Sequence, residues 1–331
     1  MRLFCLRVKS ARRRRADGMA LALGAQIAAC AWGEGPPPLD HGSDVAMVAL
    51  GPSARLAPAD ERPAELPSGS VASPACRLEG AWMSEEVTTQ IGLGDAIRQR
   101  TTQLEYWFFA QDGLDVTTLR HLVCDISARN VGVLSTTETH YTTAYRDALR
   151  DHDAQVGRPA LIGETPDGTC ALSFAQGVQL RGATLDAFAS SEKALPTTPQ
   201  KGEAPGVEDW DNDGHPGVTV QVTGVATGQL FTVLRSFDAP HGTLPAEASA
   251  FAVAESFRIE RKVLGTIPAS LPTAELTASP RRHDHYRAFL RLDDALHGLS
   301  PTKLCEALRA QARAARNELD ALPATLPAEH T

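Results

Sequence analysis

Leu104-Glu105-Tyr106-Trp107-Phe108-Phe109-Ala110, then Gln111-Asp112-Gly113, then an extended run from Leu114 to Ile126, is the stretch that decides the fold. A β-rich run meets an Asp-Gly turn and a second β-rich run follows, which is hairpin chemistry because glycine accepts a positive φ. The four consecutive aromatics read as core, shared between both faces of a buried strand. The pattern recurs twice. Leu161-Ile162-Gly163 meets Thr165-Pro166-Asp167-Gly168 and then Thr169 to Phe174, and Val218 to Val225 meets Ala226-Thr227-Gly228 and then Gln229 to Arg235. Three tight hairpins in chain order predict an all-β antiparallel meander, closed as a barrel or split into a two-sheet sandwich.

Working outward, strands are expected at Gly80 to Ile91, Ala250 to Leu264 and His285 to Leu292. In the last of these Tyr286, Ala288, Leu290 and Leu292 alternate with Arg287 and Arg291, the period of a half-buried strand. Tyr141, Ala144, Tyr145, Ala148 and Leu149 repeat at helical spacing and predict a short internal helix. Ser300-Pro301 opens a C-terminal α-helix whose stripe is Leu304, Leu308, Ala312, Ala315 and Leu319. The β-rich domain is placed at residues 76–299 and the helix packed on it at 300–322. No internal repeat is visible, which disfavours a propeller or solenoid.

Ahead of that body lies an export pattern, a signal peptide over residues 1–29. Arg12 to Arg15 precede the short apolar run Met19 to Ala25, and Ile27-Ala28-Ala29-Cys30 ends it. Such a run suits a signal h-region and is too short to span a bilayer. Small residues before Cys30 resemble the bacterial lipobox, which makes Cys30 the lipidation site and the membrane a partner through that anchor. Ala31 follows, so the resemblance implies an outer-membrane lipoprotein facing periplasm or exterior; an ordinary secreted protein is the alternative. Residues 30–75, rich in Pro, Ala and Gly, read as a tether. Removing Arg2, Arg7, Lys9, Arg12, Arg13, Arg14, Arg15 and Asp17 from 32 basic and 40 acidic residues leaves a net charge of about −14. That balance repels nucleic acid and anionic lipid and suits divalent cations.

Cys76, Cys124, Cys170 and Cys305 remain, an even number for an oxidising compartment. Three pairings are open. The favoured one joins Cys124 to Cys170, both in strand-like segments, and Cys76 to Cys305, clasping the ends of the domain. No CxxC exists, which argues against zinc.

The sharpest candidate site is Asp209-Trp210-Asp211-Asn212-Asp213-Gly214-His215-Pro216-Gly217, which runs into Val218-Thr219-Val220. Asp209, Asp211 and Asp213 with the His215 backbone carbonyl match the first half of a calcium loop, and Gly214 permits its turn. Val220 stands where the bidentate acid belongs, and Glu208, Glu203 or Asp186 is left to supply it. An acidic turn whose Asp side chains cap backbone N–H groups is the plainer reading. His283 and His285 form a second, weaker metal pair, and Glu138-Thr139-His140 with His152 a weaker acid–base group. No Gly-x-Ser-x-Gly, phosphate loop or His-Glu-x-x-His is present.

Gly80-Ala81-Trp82 resembles the Gly-x-Trp opening of lipocalin-like barrels, which implies a plugging tryptophan and a late-strand arginine stacked on it, from Arg261, Arg287 or Arg291. Leu195-Pro196-Thr197-Thr198-Pro199 leading into the Asp209 loop, and Tyr286 to Leu292 followed by Cys305, resemble a family of uncharacterised, β-rich bacterial lipoproteins. That resemblance implies a signal and a cysteine-containing β body, and no activity or ligand. The expectation is a lipid-anchored envelope protein acting as a binding or structural module, with a calcium-stabilised loop and a small apolar ligand or an envelope protein as partner. A metal-assisted hydrolase is the alternative.

Overall fold

Strand-forming residues on either side of tight turns produce long antiparallel strands, as the hairpin chemistry requires. The computed structural model describes residues 62–92, 96–132, 138–152, 155–184, 193–197, 206–224 and 226–326. The expectations for the signal, for Cys30, for tether residues 30–61 and for Glu203 and Asp186 lie outside the described residues. Among the described residues twelve strands run in chain order: β1 (Gly80–Gly92), β2 (Ile97–Asp112), β3 (Asp115–Asn130), β4 (Glu138–Tyr141), β5 (Pro159–Glu164), β6 (Cys170–Phe174), β7 (Gly177–Arg181), β8 (Val218–Thr223), β9 (Gly228–Leu244), β10 (Ala250–Ile267), β11 (Thr277–Ala278) and β12 (Tyr286–Arg291). Among them α1 is Thr143–His152, α2 is Pro301–Ala314 and α3 is Arg316–Ala321.

The sheet closes. Hydrogen-bonded neighbours run β10-β12-β1-β2-β3-β5-β6-β9, and β9 pairs back to β10. This ring of eight antiparallel strands follows chain order, so the architecture is an up-and-down barrel rather than a two-sheet sandwich. Long β9 makes this possible: one edge pairs with β10, and the other serves β8, β7 and β6 in turn. β4 extends the sheet beyond β8, and α1 sets Tyr145, Ala148 and Leu149 against Val123 and Ile126 of β3 and Val218 of β8.

Alternation along each strand sends side chains to two different cores. Inside one end of the ring, all eight strands contribute to a cluster that includes Trp82, Trp107, Phe109, Phe174, Phe251 and Phe289. Outside, Met83, Leu104, Tyr106, Leu122, Tyr286 and Ala288 meet Leu304, Leu308 and Leu319 of α2 and α3. The C-terminal helix expected over 300–322 is thus present, but it breaks at Ala315 into two pieces. Part of the expected tether also belongs to the barrel, because Val71 N–H donates to the Glu164 carbonyl at 2.9 Å and the Glu164 N–H returns the bond.

The two cores correct the disulfide pairing. The bonds are Cys76–Cys170 and Cys124–Cys305, not Cys124–Cys170 and Cys76–Cys305. Cys124 lies on the outer face, where α2 presents Cys305, whereas Cys170 belongs to the inner aromatic cluster together with Cys76. Two strand cysteines on opposite faces of a sheet cannot reach one another. Of the three arginines considered for Trp82, Arg291 holds its guanidinium 5.3 Å from that ring. Among the described residues no helix is long and apolar enough to cross a membrane.

Candidate functional site

Two clusters of carboxylates stand out. One is the Asp209 loop. The other sits in the middle of the barrel, where the strand pattern alone did not place it.

The loop is fastened by backbone hydrogen bonds and by two aromatic contacts. Trp210 is buried beside Tyr145, and its N–H donates to the Gly217 carbonyl at 2.9 Å. Gly217 has φ +89°, and a Cβ there would lie 2.5 Å from the Thr232 carbonyl oxygen, so no side chain fits. His215 stacks on Phe231 with ring centroids 4.0 Å apart. Asp209, Asp211 and Asp213 each offer an oxygen, all within 4.8 Å of one another. No other group of His, Cys, Asp or Glu among the described residues converges in this way, and Glu208 does not join it.

Most of these carboxylate oxygens cap the turn. Asp209 accepts from Asp213 N–H at 3.0 Å and Gly214 N–H at 2.8 Å, and Asp213 accepts from His215 N–H at 3.0 Å. The Asp-capped turn is therefore present. Asp211 differs: Oδ2 accepts from Thr219 N–H at 3.0 Å, while Oδ1 is buried without a partner. Burial, together with the neighbouring Asp213 and Asp209 charges, raises its pKa against the Thr219 hydrogen bond. A buried acceptor facing two like charges is the local chemistry that a cation relieves.

Of the weaker candidates the histidine pair does not assemble, and the side chain of His152 lies outside the described residues. His283 is exposed, while His285 is buried with both ring nitrogens engaged. Its Nε2 lies 2.8 Å from the Ser279 carbonyl, and its Nδ1 lies 3.4 Å from Thr89 N. Burial lowers its pKa. The expected histidine pair is thus divided between solvent and core. His140 stays near the surface beside Glu138, at 3.3 Å.

Inside the barrel, Arg287 is fully buried and faces four carboxylates from four strands. They are Glu105, Glu255 at 2.9 Å, Glu86 at 3.2 Å and Asp238 at 3.5 Å. Arg158, also fully buried, pairs with Asp238 at 2.7 Å and donates to the Asp238 and Ala175 carbonyls. Gly177 makes room, since a Cβ there would lie 2.7 Å from Asp238 Oδ1 and 2.8 Å from Arg158 Nη1. Glu105 also accepts from Ser84 Oγ–H at 2.9 Å and Trp107 Nε1–H at 3.0 Å, with His121 Nε2 3.8 Å away. Gln103 donates to Glu86 and accepts from Arg181, continuing the polar chain along the interior.

The three glutamates differ electrostatically. Burial opposes the Glu105 charge, but Arg287, His121 and Ser84 more than offset it and hold that carboxyl far below the usual range. Burial, with Glu255 next, pushes Glu86 well up despite Arg287. Burial and the Asp238 and Glu105 charges push Glu255 up to about 7, against the pull of Arg287. Although burial acts against its charge, Arg287 is held well above its ordinary value by those four acids.

The half-buried-strand reading of β12 had the right period, but both faces of the strand are buried over Tyr286 to Phe289. Tyr286 and Ala288 lie under α2, and Arg287 points into the barrel. The available signal was parity with the tryptophans: Glu86 shares the side of β1 that holds Trp82, and Glu105 the side of β2 that holds Trp107. Compared with protein-family models, curated proteins and solved structures, the chain matches none.

Proposed function

We propose that this chain is a lipid-anchored cell-envelope protein whose barrel serves as a binding or structural module, with a loop at Asp209, Asp211 and Asp213 that takes calcium. The observation that carries the compartment is the pairing of all four body cysteines, which fits an oxidising environment and not a reducing cytosol. The apolar run ending at Cys30 supplies the anchor. The ring in chain order, with Trp82 at the start of β1 and Arg291 of β12 stacked on it, supports a lipocalin-like architecture. A charged mid-section argues against an apolar ligand in the barrel and favours the structural role. Calcium rests on the orphaned Oδ1 of Asp211.

The anchor is tested by fractionating bacteria that express the full chain. Wild type is expected in the membrane fraction, and Cys30→Ala among soluble exported proteins; a Cys30→Ala chain that stays with membranes overturns it. The loop is tested by titrating calcium into the chelator-treated protein. Extracellular modules bind with Kd of about 10⁻⁴ to 10⁻³ M. About 10 mM calcium is therefore expected to add roughly 1–3 kcal/mol of stability. An unchanged melting temperature removes the site.

A further inference from the structure

The interior cluster performs no task in that reading, and its charge does not balance. Four carboxylates, each less than a tenth exposed, are bonded directly by two guanidinium groups, Arg287 and Arg158, while Arg181 reaches Glu86 through Gln103 and His121 lies 3.8 Å from Glu105. Glu105 Oε1, Glu255 Oε2, Asp238 Oδ1 and Arg287 Nε have no partner. The acids do not bring their oxygens within 4.8 Å of one another as the Asp209 loop does. Protons are the remaining way to relieve the buried carboxylate oxygens left without a partner, because a buried carboxylate that lacks a direct cation neutralises rather than stays ionised.

The position of the excess charge matters. β10 pairs with β12 only over Ala250 to Ala254, in register with Leu290 to Tyr286. At Glu255 the ladder ends: its N–H donates to the His285 carbonyl at 3.1 Å, and β10 continues with β9 alone. Glu255 therefore sits at a fork in the barrel wall. Glu86 approaches it from β1, on the far side of β12.

We propose that this fork is a proton-held seam: Glu86 and Glu255 keep protons beside Arg287 in the closed barrel, and losing them as pH rises loosens the β10–β12 joint. The groups facing the pair are Glu105 and Gln103 from β2, His121 from β3, Arg181 from β7 through Gln103, Asp238 from β9, Arg287 from β12 and Arg158 from the segment before β5. Ionisation adds negative charge among groups whose two directly bonded cations are already matched by Glu105 and Asp238. The raised pKa values of Glu86 and Glu255 agree in direction. Their protons leave in steps that belong to the pair. For an acid whose pKa is higher folded than unfolded, stability is intact below the ordinary value of 4.5 and is lost as pH rises through the folded value of about 7. The seam tightens in acid and weakens above neutrality.

The test is amide hydrogen exchange on the disulfide-intact full chain at about pH 5.5 and about pH 8.5, corrected for the intrinsic pH dependence of exchange. Chelator is present throughout, so the Asp209 loop contributes no calcium effect and the two ideas fail separately. Protection of the amides of residues 250–255 and 286–290 is expected to fall roughly ten-fold or more at the higher pH. Glu255→Gln is expected to remove most of that fall. Unchanged wild-type protection, or a full fall in folded Glu255→Gln and Glu86→Gln alike, overturns the proposal. If neither variant folds, infrared spectroscopy of wild type decides. A protonated-carboxyl band at about pH 6.5 that vanishes by about pH 8.5 is expected, because exposed acids are ionised at both; absence of the band overturns it.

Discussion

The barrel interior and the Asp209 loop answer the same physical problem in different ways. Each gathers carboxylates closer than their charges favour. The interior contains its own cation, since Arg287 reaches Glu86, Glu105, Asp238 and Glu255, and Arg158 takes a second bond to Asp238. Among the described residues the loop has no cationic side chain as a partner. It divides its charges among backbone N–H groups and leaves Asp211 Oδ1 over. The interior is thus sealed, and relieves its surplus through protons. The loop is open at Asp209 and Asp213, and can relieve its surplus from solvent. Their pH responses therefore oppose: acid favours the interior, and weakens calcium at the loop by protonating its ligands.

Removing the internal cation breaks this contrast most severely. Arg287→Met keeps an unbranched side chain but removes the guanidinium that reaches all four carboxylates, leaving Asp238 bonded to Arg158 and Glu86 and Glu255 without a direct cation. Breaking one partner from a buried pair costs about 3–5 kcal/mol, so urea unfolding is expected to show a loss of that size or no folded protein. Adding Glu86→Gln, Glu105→Gln and Glu255→Gln to Arg287→Met is expected to restore much of the loss, because no unpaired buried charges are left at those positions. If the quadruple variant is no better than the single one, Arg287 acts through volume and not charge. A second, smaller break is Gly177→Ala, which drives a methyl group against Asp238 and Arg158. Overpacking costs about 1–3 kcal/mol, measured in the same way.

These two regions were unequally legible in the sequence. The strands announced themselves through Asp112-Gly113 and Asp167-Gly168, because turns depend on local backbone chemistry. The Asp209 loop was also legible, since its residues are adjacent in the chain. The interior cluster draws Glu86, Glu105, Asp238, Glu255 and Arg287 from five strands, and only register brings them together. Alternation told that Tyr286 and Arg287 face opposite ways, but not which way was in. Helix α2 covers the outer face with Leu304 and Leu308, so both faces of β12 are buried. That covering also hid the disulfides: Cys124 was a strand residue whose partner lay on a helix. The short β4, β7 and β11 carry too few residues for a periodic signal.

The finest test of the contrast is Asp211→Asn, which removes one charge from the loop and changes little else. An amide oxygen still accepts from Thr219 N–H, so the turn itself is preserved. Without calcium, loss of a charge facing Asp209 and Asp213 is expected to stabilise the fold slightly, by about 0.5 kcal/mol, since solvent screens much of the repulsion. With about 10 mM calcium the order is expected to reverse, wild type gaining the roughly 1–3 kcal/mol of ligand binding and the variant little of it. That crossing of two melting curves separates a calcium loop from a plain acidic turn. In a turn held only by its caps, Asp211→Asn stays the more stable protein at every calcium concentration, because no bound cation is there for the lost charge to serve.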